Sequence, residues 1–242
     1  MYVITDERIS LSSLSRLRQE GFSPLLMPPA TYLQSAVASH TDMLMFLGFD
    51  RLFCHRRYYE SNTELIDKIC KISGYALSIS DEPTGEKYPS DVLFNAFAVG
   101  NKLICNTKTV SSLILDTARL EGFEIINVPQ GYTKCSVCIV SESALITADR
   151  SIYEACRDFF DVLLISEGHI SLPPYSYGFI GGAAGAYLDK VYFCGSTETH
   201  PDGERIKDFC LKHKKTAVSL SDGELQDVGS LFFIGENDHG NG

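Results

Sequence analysis

The amino-acid sequence predicts an α/β fold, a five-bladed α/β propeller made from five copies of one helix–strand–hairpin unit. The same order of elements recurs five times along 242 residues. The fifth unit lacks the second arm of its hairpin, whereas residues 2–6 form an apolar strand of that kind with no first arm before it. We therefore expect the N-terminal strand to pair with the C-terminal hairpin arm. This closure would protect two exposed strand edges.

Each unit begins with a short helix whose apolar side chains recur three or four residues apart. In the first helix, Leu11, Leu14 and Leu17 share one face. Asn62 is a suitable N-cap for the second helix, and Gly74 is a suitable end because glycine readily adopts the left-handed conformation. The helices are predicted near residues 11–20, 62–73, 111–121, 151–160 and 203–211.

A short apolar strand follows each helix, and a hairpin of two apolar arms follows that strand. The strands are predicted at residues 23–28, 75–79, 124–128, 162–165 and 216–220. The first hairpin arms are predicted at residues 43–47, 92–99, 136–140, 178–183 and 229–234. The second arms are predicted at residues 52–54, 103–105, 144–147 and 191–194. The alternative to a ring is a chance succession of short strands in an ordinary α/β domain.

Composition limits the partners and the location of the protein. The formal net charge of −10 disfavours nucleic acid and anionic membranes as partners. No apolar run approaches the roughly 20 residues that cross a bilayer, and the N-terminus lacks the features of a signal peptide. Most of the eight cysteines lie in apolar runs, as free thiols do in a reducing compartment. We expect a cytoplasmic protein, with residues 1–236 as one domain and residues 237–242 as a flexible tail.

Three segments carry a resemblance to a known fold, namely 40–43 (HTDM), 128–136 (VPQGYTKCS) and 178–183 (GFIGGA). They resemble a family that is found mainly in clostridial bacteria and has no assigned activity. That family has the pentein, or guanidino-modifying-enzyme, fold. Arginine deiminases, amidinotransferases and dimethylargininases share the fold, and so does a ribosome anti-association factor that is not an enzyme. The resemblance extends from Tyr2 to about Gly235, although a shared fold does not transfer function.

The resemblance implies a cysteine thiolate that attacks a guanidinium carbon, a histidine that relays protons and carboxylates that hold the cation. Related enzymes commonly place the cysteine on the last hairpin, in a pattern like Gly-Ser-x-x-Cys. The corresponding segment here runs from Gly229 to Phe233, so a phenylalanine stands where the thiol is expected. No cysteine follows Cys210. The sequence therefore leaves open whether the chain is an enzyme.

Three residues are candidates for catalysis. Cys135 precedes a hairpin strand in the third unit, and the ammonium of the adjacent Lys134 could favour its thiolate. His40 belongs to a His-x-Asp in the first unit, whereas the resemblance would place such a motif in the fourth unit. His169 lies in the fourth unit, two residues after Glu167. A purely structural role remains the alternative for each of the three.

Seven residues are candidates for ligand binding, most of them because they carry polar groups near the starts of hairpin arms. They are Asp42, Asp91, Asn95, Tyr132, Lys134, Glu167 and Asp227. Carboxylates bind a planar guanidinium through two parallel hydrogen bonds. We expect a small cationic guanidino or amidino compound, or an amide, in a central channel.

No metal and no cofactor are predicted. Cys135 and Cys138 have C-x-x-C spacing, but no second pair of ligands accompanies them, and residues three apart in a strand face opposite sides. The glycine-rich segment 178–185 lacks both the P-loop lysine and the Rossmann spacing.

Two other functions remain open. The chain could be a pseudoenzyme that keeps a ligand pocket without turnover, or a non-catalytic protein-interaction module. The acidic charge fits an RNA-rich surface poorly, which weighs against a ribosomal module. The sequence does not determine the oligomeric state.

Overall fold

The computed structural model describes residues 1–235, and every element named below lies in that range. The α-helices are α1 (Leu11–Gln19), α2 (Thr41–Leu44), α3 (Arg56–Ser61), α4 (Thr63–Ser73), α5 (Ser112–Leu120), α6 (Arg150–Cys156) and α7 (Gly203–Lys212). The strands are β1 (Tyr2–Asp6), β2 (Ser23–Met27), β3 (Met45–Gly48), β4 (Arg51–His55), β5 (Ala76–Ser80), β6 (Phe97–Val99), β7 (Lys102–Cys105), β8 (Glu124–Asn127), β9 (Val137–Ser141), β10 (Ala144–Thr147), β11 (Asp161–Leu164), β12 (Ile170–Ser171), β13 (Ala184–Tyr187), β14 (Lys190–Phe193), β15 (Thr216–Ser219), β16 (Leu225–Gln226) and β17 (Phe232–Ile234).

Five sheets of three strands each share one plan. The middle strand pairs antiparallel with one hairpin arm, and it pairs parallel with the strand that follows the unit's helix. The middle strands are β1, β4, β7, β10 and β14. This arrangement confirms the predicted mixed α/β fold. No sheet within residues 1–235 closes on itself, and each of the five keeps two edge strands.

The two ends of the described chain meet in the first sheet. Strands β1 and β17 pair antiparallel, with Tyr2 opposite Ile234 and Ile4 opposite Phe232. This pairing agrees with the expectation from the complementary ends. The predicted flexible tail, residues 237–242, lies outside the described residues.

Apolar side chains of the described residues form five clusters, and four of them join two sheets that are consecutive along the chain. One cluster contains Ile4 of the first sheet and Leu52 of the second. Three further clusters join the second sheet to the third, the third to the fourth, and the fourth to the fifth. The remaining cluster contains Val3 and Tyr192 and so joins the first sheet to the fifth. Burial of apolar area between neighbours therefore links all five sheets.

All five first hairpin arms begin later than predicted, although β9 begins only one residue after the predicted start. The predicted arm 178–183 is a series of turns, and β13 begins only at Ala184. The predicted arm 92–99 narrows to Phe97–Val99, and the start of the arm 43–47 lies in α2. The reason is local hydrogen bonding, because backbone N–H groups in these segments bond to buried side chains and loop carbonyls instead of to a neighbouring strand. Phe179 N, for example, donates to the Asp227 carboxylate at 2.9 Å.

Helices α3 and α4 and a separate small sheet complete the fold. Asn62 lies between α3 and α4 and is the N-cap of α4. Its side chain makes no capping hydrogen bond to α4. Gly74 ends α4 with a positive φ of 75°, as predicted. A separate two-stranded parallel sheet joins β12 to β16 and anchors the loop at residues 172–178.

Candidate functional site

A cavity of about 310 Å³ contains the most chemically varied group of side chains. We call it the Cys135 cavity. Its polar lining residues are His40, Cys135, Ser176 and Asp227. Its aromatic lining residues are Tyr132, Tyr175, Tyr177 and Phe179, and its aliphatic lining residues are Val37, Met43 and Leu172. The sequence-predicted residues His40, Cys135, Tyr132 and Asp227 therefore meet at one cavity.

Cys135 lies in the turn that precedes β9, and Asn95 holds it there. The Asn95 amide Nδ2 donates to the Cys135 Sγ at 2.9 Å. The amide oxygen of Asn95 accepts the backbone N–H groups of Lys134 at 2.8 Å and of Cys135 at 3.1 Å. Asn95 is not among the residues that line the cavity, and its role in ligand binding stays a prediction. Its contacts instead orient the thiol.

The Cys135 thiol is protonated in the absence of a ligand. Burial raises the pKa of Cys135 well above its ordinary value, and the nearby Asp42 and Asp227 carboxylates raise it further. The expectation that Lys134 would favour the thiolate is therefore wrong. The Lys134 ammonium turns away to donate to the Ser230 hydroxyl at 2.9 Å, and it lies 5.6 Å from the centre of the Phe232 ring.

Asp227 is the one carboxylate that reaches the Cys135 cavity. Its two oxygens accept the backbone N–H groups of Phe179 at 2.9 Å and of Gly229 at 3.0 Å. Burial nevertheless raises the pKa of Asp227 to about 6, although these two hydrogen bonds and Lys134 oppose the shift. A Cβ atom at Gly182 would overlap this carboxylate, so residue 182 has to be glycine for the carboxylate to sit here. The glycine-rich segment thus encloses a side chain rather than a phosphate.

His40 stands between two buried carboxylates. Its Nε2 lies 3.6 Å from Asp6 Oδ2, and its Nδ1 lies 3.7 Å from Asp227 Oδ1. Burial lowers the pKa of His40 despite the charges of Asp42 and Asp6. The imidazole is therefore neutral at physiological pH. A neutral imidazole can accept a proton, which is the property that a general base requires.

Asp42 and Lys134 lie behind the Cys135 cavity rather than in it. The Ser230 hydroxyl stands between them, donating to Asp42 Oδ2 at 2.6 Å and accepting from Lys134 Nζ at 2.9 Å. Burial raises the pKa of Asp42. Asp42 and Lys134 are not among the residues that line the cavity, and their contact with a ligand stays a prediction. The two residues form a buried polar network behind the reactive side chains.

Tyr132 lines the cavity, and Asp91 supports it from behind. The Tyr132 hydroxyl donates to Asp91 Oδ2 at 2.7 Å. The ring of Tyr132 stacks on Phe179 at a centroid distance of 6.0 Å. Asp91 is buried but does not line the cavity, so its carboxylate fixes the tyrosine rather than contacting a ligand directly.

His169 and Glu167 lie at other cavities. His169 has a positive φ of 61° and lines a cavity that shares Leu172, Tyr175 and Ser176 with the Cys135 cavity. Its ring contacts His200 at a centroid distance of 5.6 Å. Glu167 lines a third cavity together with Gln130 and Asp149. Neither predicted residue lines the Cys135 cavity, because both lie on the loop that leads into β12.

Sequence reasoning missed several residues of this region, among them Asp6, Phe179 and Ser230. Asp6 is the last residue of β1, the strand with no predicted hairpin arm before it. Its place at the end of that strand was the signal that could have identified it as a site residue. A second His-x-Asp, His200-Pro201-Asp202, was also missed. There His200 Nδ1 accepts the backbone N–H of Asp202, so the motif organises the start of α7.

Phe233 occupies the apolar core between the first and fifth sheets. Its ring lies 4.8 Å from that of Phe22 and 5.3 Å from that of Tyr192, measured between centroids. The position where the resemblance implies a thiol is thus filled by an aromatic packing residue. Within residues 1–235, no three His, Cys, Asp or Glu side chains converge as a metal site requires.

Solved structures that are similar to this chain include members of the pentein superfamily. A dimethylarginine dimethylaminohydrolase from Pseudomonas aeruginosa, complexed with citrulline, has a TM-score of 0.60 at 10% identity, over 91% of each chain. The agmatine deiminase of C. jejuni has a TM-score of 0.54 at 10% identity, over 95% of this chain and 94% of that chain. The amidinotransferase SxtG of Microseira wollei has a TM-score of 0.54 at 9% identity, over 95% of this chain and 80% of that chain. At these identities the likeness shows the fold alone.

Residues 4–232 match the family described as "Family of unknown function (DUF6873)", and the chain belongs to that family. No curated protein matches the sequence. In the part of the chain that the structure describes, no helix has the length and apolar character needed to cross a membrane.

Proposed function

We propose that the five three-stranded sheets are the blades of a pentein-like α/β propeller formed by residues 1–236 as a single domain. Two observations support this arrangement. Four apolar clusters join sheets that are consecutive along the chain, and the fifth cluster joins the last sheet to the first. Strand β17 also pairs with β1. A cytoplasmic location remains a proposal that rests on the sequence.

We propose that the Cys135 cavity binds a small cation of the guanidino or amidino class. The observation that carries this proposal is the placement of Asp227, a buried carboxylate facing a cavity with four aromatic walls. Two backbone N–H groups bond this carboxylate, but no lysine or arginine within residues 1–235 forms an ion pair with it. A buried carboxylate is costly without an opposite charge, and a planar cation would supply that charge. Aromatic faces attract the same cation through their quadrupoles. The neighbours that act on or bind guanidino compounds make this class plausible.

A bound cation would also activate the thiol. Its positive charge would lower the pKa of Cys135 and offset the opposing effects of Asp42 and Asp227. The thiolate could then add to the electrophilic carbon of the cation, with the electron pair of the C=N π bond moving to nitrogen. A neutral His40 could hold the proton that leaves the thiol. In this proposal Cys135 and His40 are catalytic residues, and Asn95 is a positioning residue.

A second candidate is ligand binding without turnover. It is supported by the raised pKa of Cys135 and by the aromatic residue at position 233. Both observations would also be expected of a protein that keeps the pocket and has lost the chemistry.

Calorimetric titration with benzamidine and with benzamide, its neutral isostere, tests the binding proposal at pH 7.5. We expect benzamidine to bind at least about tenfold more tightly, because only the cation pairs with Asp227. Asp227→Asn should abolish this preference, whereas Asp189→Asn, a surface change of the same charge, should preserve it. Equal affinity of the unaltered protein for the two compounds would show that the site selects amides, and would refute the cation proposal.

Alkylation of the unmutated protein distinguishes catalysis at Cys135 from ligand binding without turnover. In reaction with 2-chloroacetamidine, a C–S bond forms at Cys135, chloride leaves, and the thiol proton passes to His40 or solvent. We expect Cys135 to be modified faster by this cation than by neutral 2-chloroacetamide, as mass spectrometry of the peptides would show. If Cys135 reacts no faster than the other seven cysteines, binding without turnover is the better description.

A further inference from the structure

The Cys135 cavity has no lysine or arginine among its lining residues, all of which lie in the described range. Its ionisable lining residues are Asp227, Cys135, His40 and three tyrosines. The thiol pKa is raised and the imidazole pKa is lowered by burial, so both groups are neutral. The cavity therefore presents a carboxylate and no fixed positive charge.

The nearest cations are already occupied by other groups. Arg8 lines a small adjoining cavity that shares Asp227 and Leu172 with the Cys135 cavity. Its guanidinium donates to both Asp6 oxygens, and it also donates to the backbone carbonyls of Ser35 at 2.6 Å and Ala36 at 2.8 Å. The Lys134 ammonium is buried against Ser230. Neither group is free to pair with an anion in the cavity.

The next cavity along the wall is also acidic. It shares Tyr177 and Phe179 with the Cys135 cavity, and Asp149 and Glu167 line it. Its lining residues likewise include no lysine or arginine. A ligand that extended in this direction would meet more negative charge.

We propose that the site takes cations that carry no carboxylate, such as alkyl or aryl guanidines and amidines, and that it rejects amino acids. This inference rests on the proposed function, because it concerns what else the bound cation can carry. A carboxylate on the ligand would lose its water without gaining a positive partner, and it would also be repelled by Asp227. An aromatic or aliphatic body would instead gain contact with the walls.

Two matched ligand pairs test the inference by calorimetric titration of the full chain at pH 7.5. Agmatine and arginine differ by the carboxylate, and so do benzamidine and 4-amidinobenzoate. In each pair we expect the compound without the carboxylate to bind at least about tenfold more tightly. If benzamidine binds and 4-amidinobenzoate binds equally well, the inference is wrong while the proposed function stands. If none of the four binds, the proposed function and the inference both fail.

A variant with a new cation at the mouth provides a second test. Tyr175 lines the cavity and is 44% exposed, so Tyr175→Arg can be accommodated at the surface. We expect this variant to reduce the preference for benzamidine over 4-amidinobenzoate at least fivefold. Leu120→Arg adds the same charge at a helix end that lines none of these cavities, and it should leave the preference unchanged. A preference that stays the same in Tyr175→Arg, in a protein with an unaltered melting temperature, would contradict the inference.

Discussion

The regions around His40 and His169 looked equivalent in the sequence and differ in the structure. His40 is buried between Asp6 and Asp227 and lines the same cavity as Cys135. His169 lies on a loop with a positive φ, and its ring contacts only one other histidine among the ring pairs of the described chain. The difference shows that the environment of a histidine in this protein is set by groups that several chain segments bring to it. That environment decides whether the imidazole can take part in chemistry. Proximity to an acidic residue in sequence was not enough.

The largest expected difference between the two regions concerns stability. Gly182→Ala places a methyl group into the Asp227 carboxylate, and we expect it to lower the free energy of unfolding by about 3 kcal/mol or more. Gly168, next to His169, has a positive φ of 86° and open space around it. Gly168→Ala should therefore cost only about 1 kcal/mol, from backbone strain. Urea denaturation measures both, and equal losses would remove the claimed contrast.

The second expected difference concerns ligand binding. His40→Gln should weaken benzamidine binding at least about tenfold, because it alters the wall that faces Asp227. The matched change His169→Gln should alter the affinity less than about twofold, since His169 does not line the cavity. Calorimetric titration measures both affinities after thermal denaturation has confirmed that each variant is folded. A comparable loss in His169→Gln would place the ligand in the other cavity.

The pH dependence of binding sharpens the comparison further. Because the pKa of Asp227 is raised to about 6, the carboxylate gains its charge as the pH rises through that value. Benzamidine should bind roughly tenfold more weakly at pH 5 than at pH 7.5, since about a tenth of Asp227 is then ionised. Burial lowers the pKa of His40, so its imidazole gains a proton at a lower pH than a free histidine does. Affinity that is constant between pH 5 and 7.5 would exclude Asp227 as the recognition group.

The smallest expected effect belongs to the network behind His40. Ser230→Ala removes the hydroxyl that bonds both Asp42 and Lys134, and we expect it to lower the free energy of unfolding by about 1 to 3 kcal/mol. Ser12→Ala, on the exposed face of α1, should cost less than about 0.5 kcal/mol. Denaturant titration separates these values. A loss in Ser230→Ala no larger than that in Ser12→Ala would show that the buried network contributes little.

Much of the fold was predictable because local patterns carry it. Apolar periodicity marked five of the seven α-helices in residues 1–235, and the complementary ends indicated the pairing of β1 with β17. Four of the ten predicted site residues, His40, Tyr132, Cys135 and Asp227, were placed at one cavity. The first hairpin arms were predicted less well, because several of their backbone N–H groups bond to nearby loop carbonyls, and that of Phe179 bonds to the Asp227 carboxylate.

The sequence by itself determined the α/β order of elements, the complementary ends and the choice of Cys135 as a candidate thiol. Only the tertiary structure decided which polar side chains reach the cavity and which lie behind it. Asn95 and Asp42 are separated from Ser230 by more than a hundred residues of chain, yet all three lie in one buried network with Lys134. Their roles depend on burial and on hydrogen bonds between segments, and one-dimensional spacing does not encode these quantities.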